Sequence, residues 1–145
     1  MAQSSVSEVA HVIQLAVAPV FLLTGVGSLL SVMTNRLGRI IDRARGLESK
    51  LAAATPAETE PIHAMLLTLR RRAKLVSAAI TLVTACALLI CSVIVVLFLS
   101  AFIHPSLDRV SALLFIASML ALFAGLCYFL REIFVATSAL RIGPH

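Results

Sequence analysis

The sequence predicts an all-α integral membrane protein with three transmembrane helices, the first two of which extend into a cytoplasmic antiparallel helical hairpin. Of the 145 residues, 60% are hydrophobic and only 13% are charged, which lies outside the range of soluble globular domains. The apolar residues are also segregated into three charge-free runs, at 9–34, 75–105 and 110–130. Each run is longer than the roughly 18 to 20 residues that a helix needs to cross about 30 Å of hydrocarbon.

The distribution of positive charge predicts the orientation of these spans. Nine of the 12 Lys and Arg residues lie between the first two runs, two follow the third run, and only Arg109 lies in the remaining loop. Because cytoplasmic loops are enriched in Lys and Arg, we expect the middle segment and the C-terminus in the cytoplasm and the N-terminus outside. The predicted single membrane domain, 1–145, comprises a first span at 9–34, a cytoplasmic hairpin at 35–74, a second span at 75–103, a third span at 110–130 and a cytoplasmic tail at 131–145.

The segment between the first two spans has the pattern of two helices that pack against each other. Two prolines and two acids at 55–61 predict a turn, with the second helix resuming near Pro61. Exposed apolar residues outside the packed side, such as Ile41, Met65 and Leu67, are expected to seek a neighbour. Apolar residues recur at steps of three and four, the spacing of a heptad seam, at Leu37, Ile40, Ala44, Leu47 and Leu51 before the turn and at Ile62, Leu66, Leu69, Ala73 and Val76 after it.

The first span carries a polar stripe, a set of polar and small residues that fall close to one side of the helix. Hydroxyl and amide groups lose hydrogen bonds in lipid, so this side must face protein or water. Two interpretations remain open: close packing against another helix and the wall of a narrow pore. Pro19 would kink the span in either case. The members of the polar stripe are Gln14, Ala18, Thr24, Gly25, Ser28, Ser31 and Asn35.

Arg36, Arg43 and Lys50 stand at intervals of seven residues. They share one side of the first cytoplasmic helix, and we call them the basic rail. One interpretation is a solvated edge or one that faces lipid headgroups. The other is the electrostatic lining of an anion-attracting vestibule, or a docking strip for an acidic partner.

The third span contains a ladder of small residues, Ala117, Ala121 and Gly125, at intervals of four. Small residues at this spacing let two helices approach closely in a membrane. Because a three-helix unit does not offer a partner for every such face, we expect a homo-oligomer.

The sequence does not indicate an enzyme. His11, His63, His104 and His145 lie on different segments without an acid or cysteine at ligand spacing, so we expect no metal site and no cofactor. No aromatic residue is interleaved with the basic ones, which argues against nucleic acid as a partner. The expected partners are membrane lipids, further copies of the chain, and ions or an acidic protein.

Residues 13–48 carry three motifs that resemble one bacterial membrane family. They are Ala-Pro-Val-Phe-Leu-Leu-Thr-Gly at 18–25, Thr-Asn-Arg-Leu at 34–37 and Arg-Ile-x-Asp-Arg-x-Arg at 39–45. The family is known as domain of unknown function 2721, and its plan of one span, a basic segment and two more spans is similar to that of the whole chain. The resemblance implies this fold and a bacterial inner-membrane location, and it implies nothing catalytic.

Two functions from different classes are compatible with the sequence. The first is a homo-oligomeric inner-membrane protein whose first helices line an ion-conducting pore with a basic cytoplasmic vestibule. The alternative is a non-conducting membrane scaffold that recruits a partner or anionic lipid through the basic cytoplasmic hairpin. No charged residue lies in the middle of a span, which argues against a proton-coupled transporter or a voltage sensor.

Overall fold

The computed structural model describes residues 2–102 and 107–142, and it is helical almost throughout. Helix α1 is Ala2–Ala52, α2 is Pro56–Phe102 and α3 is Asp108–Ile142. At 1.5 Å per residue they are roughly 75, 70 and 50 Å long. All three are long and apolar enough to cross a membrane, which is consistent with a multi-pass membrane protein. The predicted all-helical class and the three apolar helices are confirmed.

The connection between α1 and α2 is only three residues long, 53–55. The predicted start of the second helix at Pro61 is wrong, since α2 begins at Pro56. Proline fits the first helical position because no hydrogen bond is lost there through its missing N–H. The first turn is held by the Thr55 carbonyl oxygen, which accepts hydrogen bonds from the Glu58 backbone N–H and from the Thr59 hydroxyl, both at 3.0 Å.

Helix α3 continues beyond the predicted third span at 110–130. Residues 131–142, expected as a cytoplasmic tail, form about three further turns of the same helix. After Arg131 and Glu132 the sequence returns to mainly apolar residues and holds no proline or glycine before Gly143. The helix therefore meets no stop signal in this region.

The chain divides into two compact units, each containing parts of all three helices. The first unit consists of residues 1–30 and 82–123, and the second of residues 31–81 and 124–145. Buried side chains of the first unit are Val12, Ala16, Pro19 and Val26 of α1, Val83, Cys86, Ile90 and Val93 of α2, and Ser118 of α3. Those of the second unit are Met33 and Ile40 of α1, Leu69, Val76 and Ala79 of α2, and Glu132 of α3.

The ten positions of the predicted heptad seam lie in the second unit, and none of them is exposed. Three of its ten positions, Ile40, Leu69 and Val76, are buried, and the other seven are half-buried. By contrast, the apolar residues predicted to lie off the seam are exposed. They are Ile41, Met65 and Leu67, with exposed fractions of 39%, 45% and 65%.

Two adjacent isoleucines allow the seam to be tested. Ile40→Ala is expected to lower the free energy of unfolding by about 2 to 4 kcal/mol, because it removes a buried side chain and leaves a cavity. Ile41→Ala removes the same atoms from an exposed position and should cost less than about 1 kcal/mol. Thermal unfolding of the detergent-solubilised protein, followed by helical circular dichroism, measures the difference. Equal destabilisation by the two substitutions would contradict the packing described here.

Candidate functional site

The site is built around Glu132, a fully buried carboxylate of the second unit. On α3 it follows the buried residues Ser118 and Gly125 at steps of seven, which places all three on the packed side of that helix. A carboxylate removed from water is strongly destabilised unless it is paired and hydrogen-bonded. The surroundings of Glu132 must therefore supply positive charge.

Two arginines from two other helical segments supply that charge. Arg36 of α1 donates its Nε–H to Oε2 of Glu132 at 2.5 Å, and Arg72 of α2 donates its Nε–H to Oε1 at 2.9 Å. Both carboxylate oxygens thus accept a charge-assisted hydrogen bond. The arginine side chains are partly accessible, at 32% for Arg36 and 16% for Arg72. We call these three residues the ion-pair cluster.

An aromatic ring of α3 lies close to the same group. The guanidinium carbon of Arg36 is 5.7 Å from the centroid of the Phe129 ring, within the range of a cation–π contact. Phe129 and Glu132 are three residues apart on one helix and so lie on neighbouring positions of its surface. Arg36 is therefore positioned by two residues of α3.

Each member of the ion-pair cluster lies two or three residues from one end of a charge-free run. Arg36 follows the first charge-free run by two residues, Arg72 precedes the second by three, and Glu132 follows the third by two. The cluster joins the ends of the three apolar segments within one unit. Ion pairs at this position fix where the apolar part of each helix ends relative to the other two.

A cavity of about 470 Å³ adjoins the cluster in the second unit. We call it the arginine cavity, because three guanidinium groups line it. Within the described part of the chain, no group of three or more His, Cys, Asp or Glu residues could hold a metal ion. The charged groups that line the cavity are arginines, which attract anions. Its lining residues are Arg36, Arg43, Ala64, Met65, Thr68, Leu69, Arg72 and Ala136.

The polar stripe lies on the open side of α1. The hydroxyl of Thr24 donates to the Val20 carbonyl and that of Ser28 to the Thr24 carbonyl, each at 3.3 Å. A Cβ atom added at Gly25 would meet nothing within 4 Å. At about 100° per residue, Ser28 lies roughly half a turn from the buried Val26. All seven members, Gln14, Ala18, Thr24, Gly25, Ser28, Ser31 and Asn35, are exposed.

The basic rail is divided between different environments. Arg36 belongs to the ion-pair cluster, whereas Arg43 and Lys50 are exposed. Arg43 lines the arginine cavity, and Lys50 lies beside the α1–α2 connection. The role of the rail in a vestibule or in docking stays a prediction, and its first member has a defined structural partner.

The ladder of small residues on α3 is buried only at its later end. Ala117 is exposed, Ala121 is half-buried and Gly125 is buried. Within one chain the packed side of α3 passes through Gly125 and away from Ala117. Among the described residues, the ladder therefore takes part in packing inside the chain at Gly125 and not at Ala117.

Two members of the ion-pair cluster, Glu132 and Arg72, were not among the candidate residues predicted from the sequence. A signal for Glu132 was present, because it stands between the apolar run that ends at 130 and the apolar residues 133–136. An acid in such a place needs a protein partner. Arg72 carried no such signal, since it is the last of three consecutive arginines at 70–72 and only the fold distinguishes them.

The ion-pair cluster can be tested by removing its negative charge. Glu132→Gln keeps the shape of the side chain but leaves two guanidinium groups facing a neutral amide, so the free energy of unfolding should fall by about 2 to 4 kcal/mol. The control Glu48→Gln, at an exposed position, should change it by less than about 0.5 kcal/mol. Thermal unfolding in detergent measures both variants.

A double substitution separates this ion pairing from a simple loss of packing. Arg72→Gln combined with Glu132→Gln should cost clearly less than the sum of the two single substitutions, because each single change leaves an unmatched partner. Strict additivity would show that the two side chains do not stabilise each other.

Comparison with known proteins identifies a family for this sequence. The family described as "Protein of unknown function (DUF2721)" matches residues 16–142, a range that includes the whole ion-pair cluster and the arginine cavity. No curated protein and no solved structure gives a significant match. Because the match covers most of the 145 residues, the chain belongs to the DUF2721 family.

Proposed function

We propose that this protein is a homo-oligomeric membrane protein in which the α1 helices of several copies surround a common axis and line an ion-conducting pore. The observation that carries the proposal is the exposure of all seven residues of the polar stripe. In this proposal, α1 and α2 form an antiparallel cytoplasmic hairpin, and the spans lie in a bacterial inner membrane with the N-terminus outside.

The antiparallel arrangement is supported by the short connection and by the seam. Three residues link α1 to α2, a length typical of antiparallel neighbours. The seam positions on both sides of this connection are buried or half-buried. The excess of Lys and Arg in this segment supports a cytoplasmic position.

The polar stripe supports oligomerisation because its side chains are exposed among the described residues of one chain. Polar side chains in a membrane face protein or water, yet the described residues of a single chain do not cover this side of α1. The hydroxyls of Thr24 and Ser28 donate to their own helix, and their oxygen atoms can still accept a hydrogen bond from water or from another chain. A ring of α1 helices would place the stripe against neighbouring copies and a lumen.

The basic residues support a vestibule for anions at the cytoplasmic end of this pore. Arg43 and Lys50 are exposed on the part of α1 that follows the stripe. Repeated around an axis, they would form rings of positive charge, which raise the local concentration of anions. Rings of Lys or Arg are the usual lining of anion-selective pores.

Oligomerisation is tested by placing a large side chain on the stripe. Ser28→Leu should shift the protein in mild detergent from an oligomer toward a monomer, because the larger side chain prevents close approach. Ser92→Leu is a matched control, since Ser92 is also exposed and its hydroxyl also donates to its own helix, to the Leu88 carbonyl at 3.0 Å. Light scattering after size-exclusion chromatography measures the mass of both variants. A wild-type protein that is monomeric would contradict the proposal.

Conduction is tested separately in liposomes. The wild-type protein should dissipate a chloride gradient, and replacing Arg43 and Lys50 by Glu should reduce the chloride flux because the vestibule would then repel anions. Replacing the exposed Arg39 and Arg45 by Glu makes the same change of charge elsewhere on the helix and should have a smaller effect. An oligomer without ion flux would contradict the pore and leave oligomerisation intact.

The alternative is a non-conducting membrane scaffold that recruits a partner or anionic lipid through the hairpin. Exposed apolar residues in the second unit, Ile41, Met65 and Leu67, favour it because large apolar side chains on the surface commonly mark interaction sites. The absence of ion flux from a well-formed oligomer would support this alternative.

A further inference from the structure

We propose that the arginine cavity binds the phosphate group of an anionic phospholipid. The inference concerns a site within a single chain, so it does not rest on the proposed pore. It follows from the charge of the cavity, its unused hydrogen-bond donors, its apolar walls and its place beside the apolar runs.

The cavity carries more positive charge than its carboxylate can neutralise. Arg36, Arg43 and Arg72 line it, and Glu132 contributes one negative charge through its hydrogen bonds to two of them. Within the described part of the chain, Arg43 has no carboxylate in ion-pair distance. Two positive charges therefore remain in excess around a cavity of about 470 Å³.

The geometry of the ion-pair cluster leaves the NH₂ groups of Arg36 and Arg72 available to bind an anion. Among the described residues, the hydrogen bonds to Glu132 come from the Nε–H groups of Arg36 and Arg72, and each guanidinium carries two further NH₂ groups. The carboxylate holds both side chains in place, so little conformational entropy is lost when their NH₂ groups bind an anion. Paired N–H donors of this kind match the oxygens of a phosphate.

The other lining residues fit the uncharged part of a lipid. Four of them, Ala64, Met65, Leu69 and Ala136, are apolar. The hydroxyl of Thr68 donates to the Ala64 carbonyl at 3.2 Å, so the arginines are the donors left for a phosphate. Arg43 lies seven residues beyond Arg36, or about 10 Å along α1, which leaves room for a glycerol backbone between charged and apolar walls.

The position of the cavity favours a lipid over a free phosphate ion. Arg36, Arg72 and Glu132 stand two or three residues from the ends of the charge-free runs, where a spanning helix meets the lipid headgroups. Basic pockets between transmembrane helices on the cytoplasmic side are typical places for anionic headgroups. A soluble anion would not require the apolar walls.

The test uses the full-length protein in mild detergent and native mass spectrometry. Phosphatidylglycerol and phosphatidylcholine with the same acyl chains are added in turn, and bound lipid is counted for each. We expect preferential binding of phosphatidylglycerol. Arg43→Gln should weaken that binding about fivefold, which corresponds to roughly 1 kcal/mol for one basic residue at an anionic lipid, and Arg43→Lys should recover most of it.

A matched control distinguishes the cavity from general surface charge. Arg39→Gln removes the same charge from an exposed residue of the same helix that does not line the cavity, and it should leave lipid binding unchanged. Arg39 and Arg43 are both exposed, so neither Arg39→Gln nor Arg43→Gln should alter the helical circular dichroism.

Three results would overturn the proposal. Equal binding of the two lipids would show that charge is not recognised. Equal effects of Arg39→Gln and Arg43→Gln would show that the cavity is not the site. Displacement of phosphatidylglycerol by inorganic phosphate at millimolar concentration would assign the cavity to a soluble anion. None of these results depends on whether the protein conducts ions.

Discussion

The pairing of one buried carboxylate with two arginines is the constraint on which the second unit depends. Glu132 is inaccessible to solvent, and a buried ion retains its charge only where partners offset the loss of hydration. Arg36 and Arg72 provide that compensation from α1 and α2. The interaction therefore fixes the rotation of three helical segments about their own axes. Apolar contacts alone restrict this rotation less, because they tolerate repacking.

Much of the fold could be predicted because apolar runs and heptads are properties of neighbouring residues. The runs at 9–34, 75–105 and 110–130 are long enough for spans by composition alone. The positions of the seam also followed from its three- and four-residue steps, and Ile40, Leu69 and Val76 are its buried members. The start of α2 was misplaced because two prolines, Pro56 and Pro61, both fit an early helical position, and the local sequence does not decide between them.

The candidate site was harder to predict because its members are far apart along the chain. Arg72 follows Arg36 by 36 residues, and Glu132 follows Arg72 by 60 residues. Arg36 was recognised for its place in the basic rail, and its contact with Glu132 could not be deduced from that spacing. The polar stripe is exposed at all seven of its positions among the described residues, and its role in helix packing or in a pore stays a prediction. What covers it depends on other molecules, which no pattern within one sequence specifies.

The order in which the three charges are synthesised has a consequence for assembly. Arg36 and Arg72 precede Glu132 in the chain, so both arginines leave the ribosome before their common counter-ion exists. Until α3 has been made, the first two helices hold two positive charges that lack this partner, and the second unit cannot reach its final packing. A chain that ends before residue 132 lacks the group that joins its three helices, so its second unit would hold two arginines without their common counter-ion.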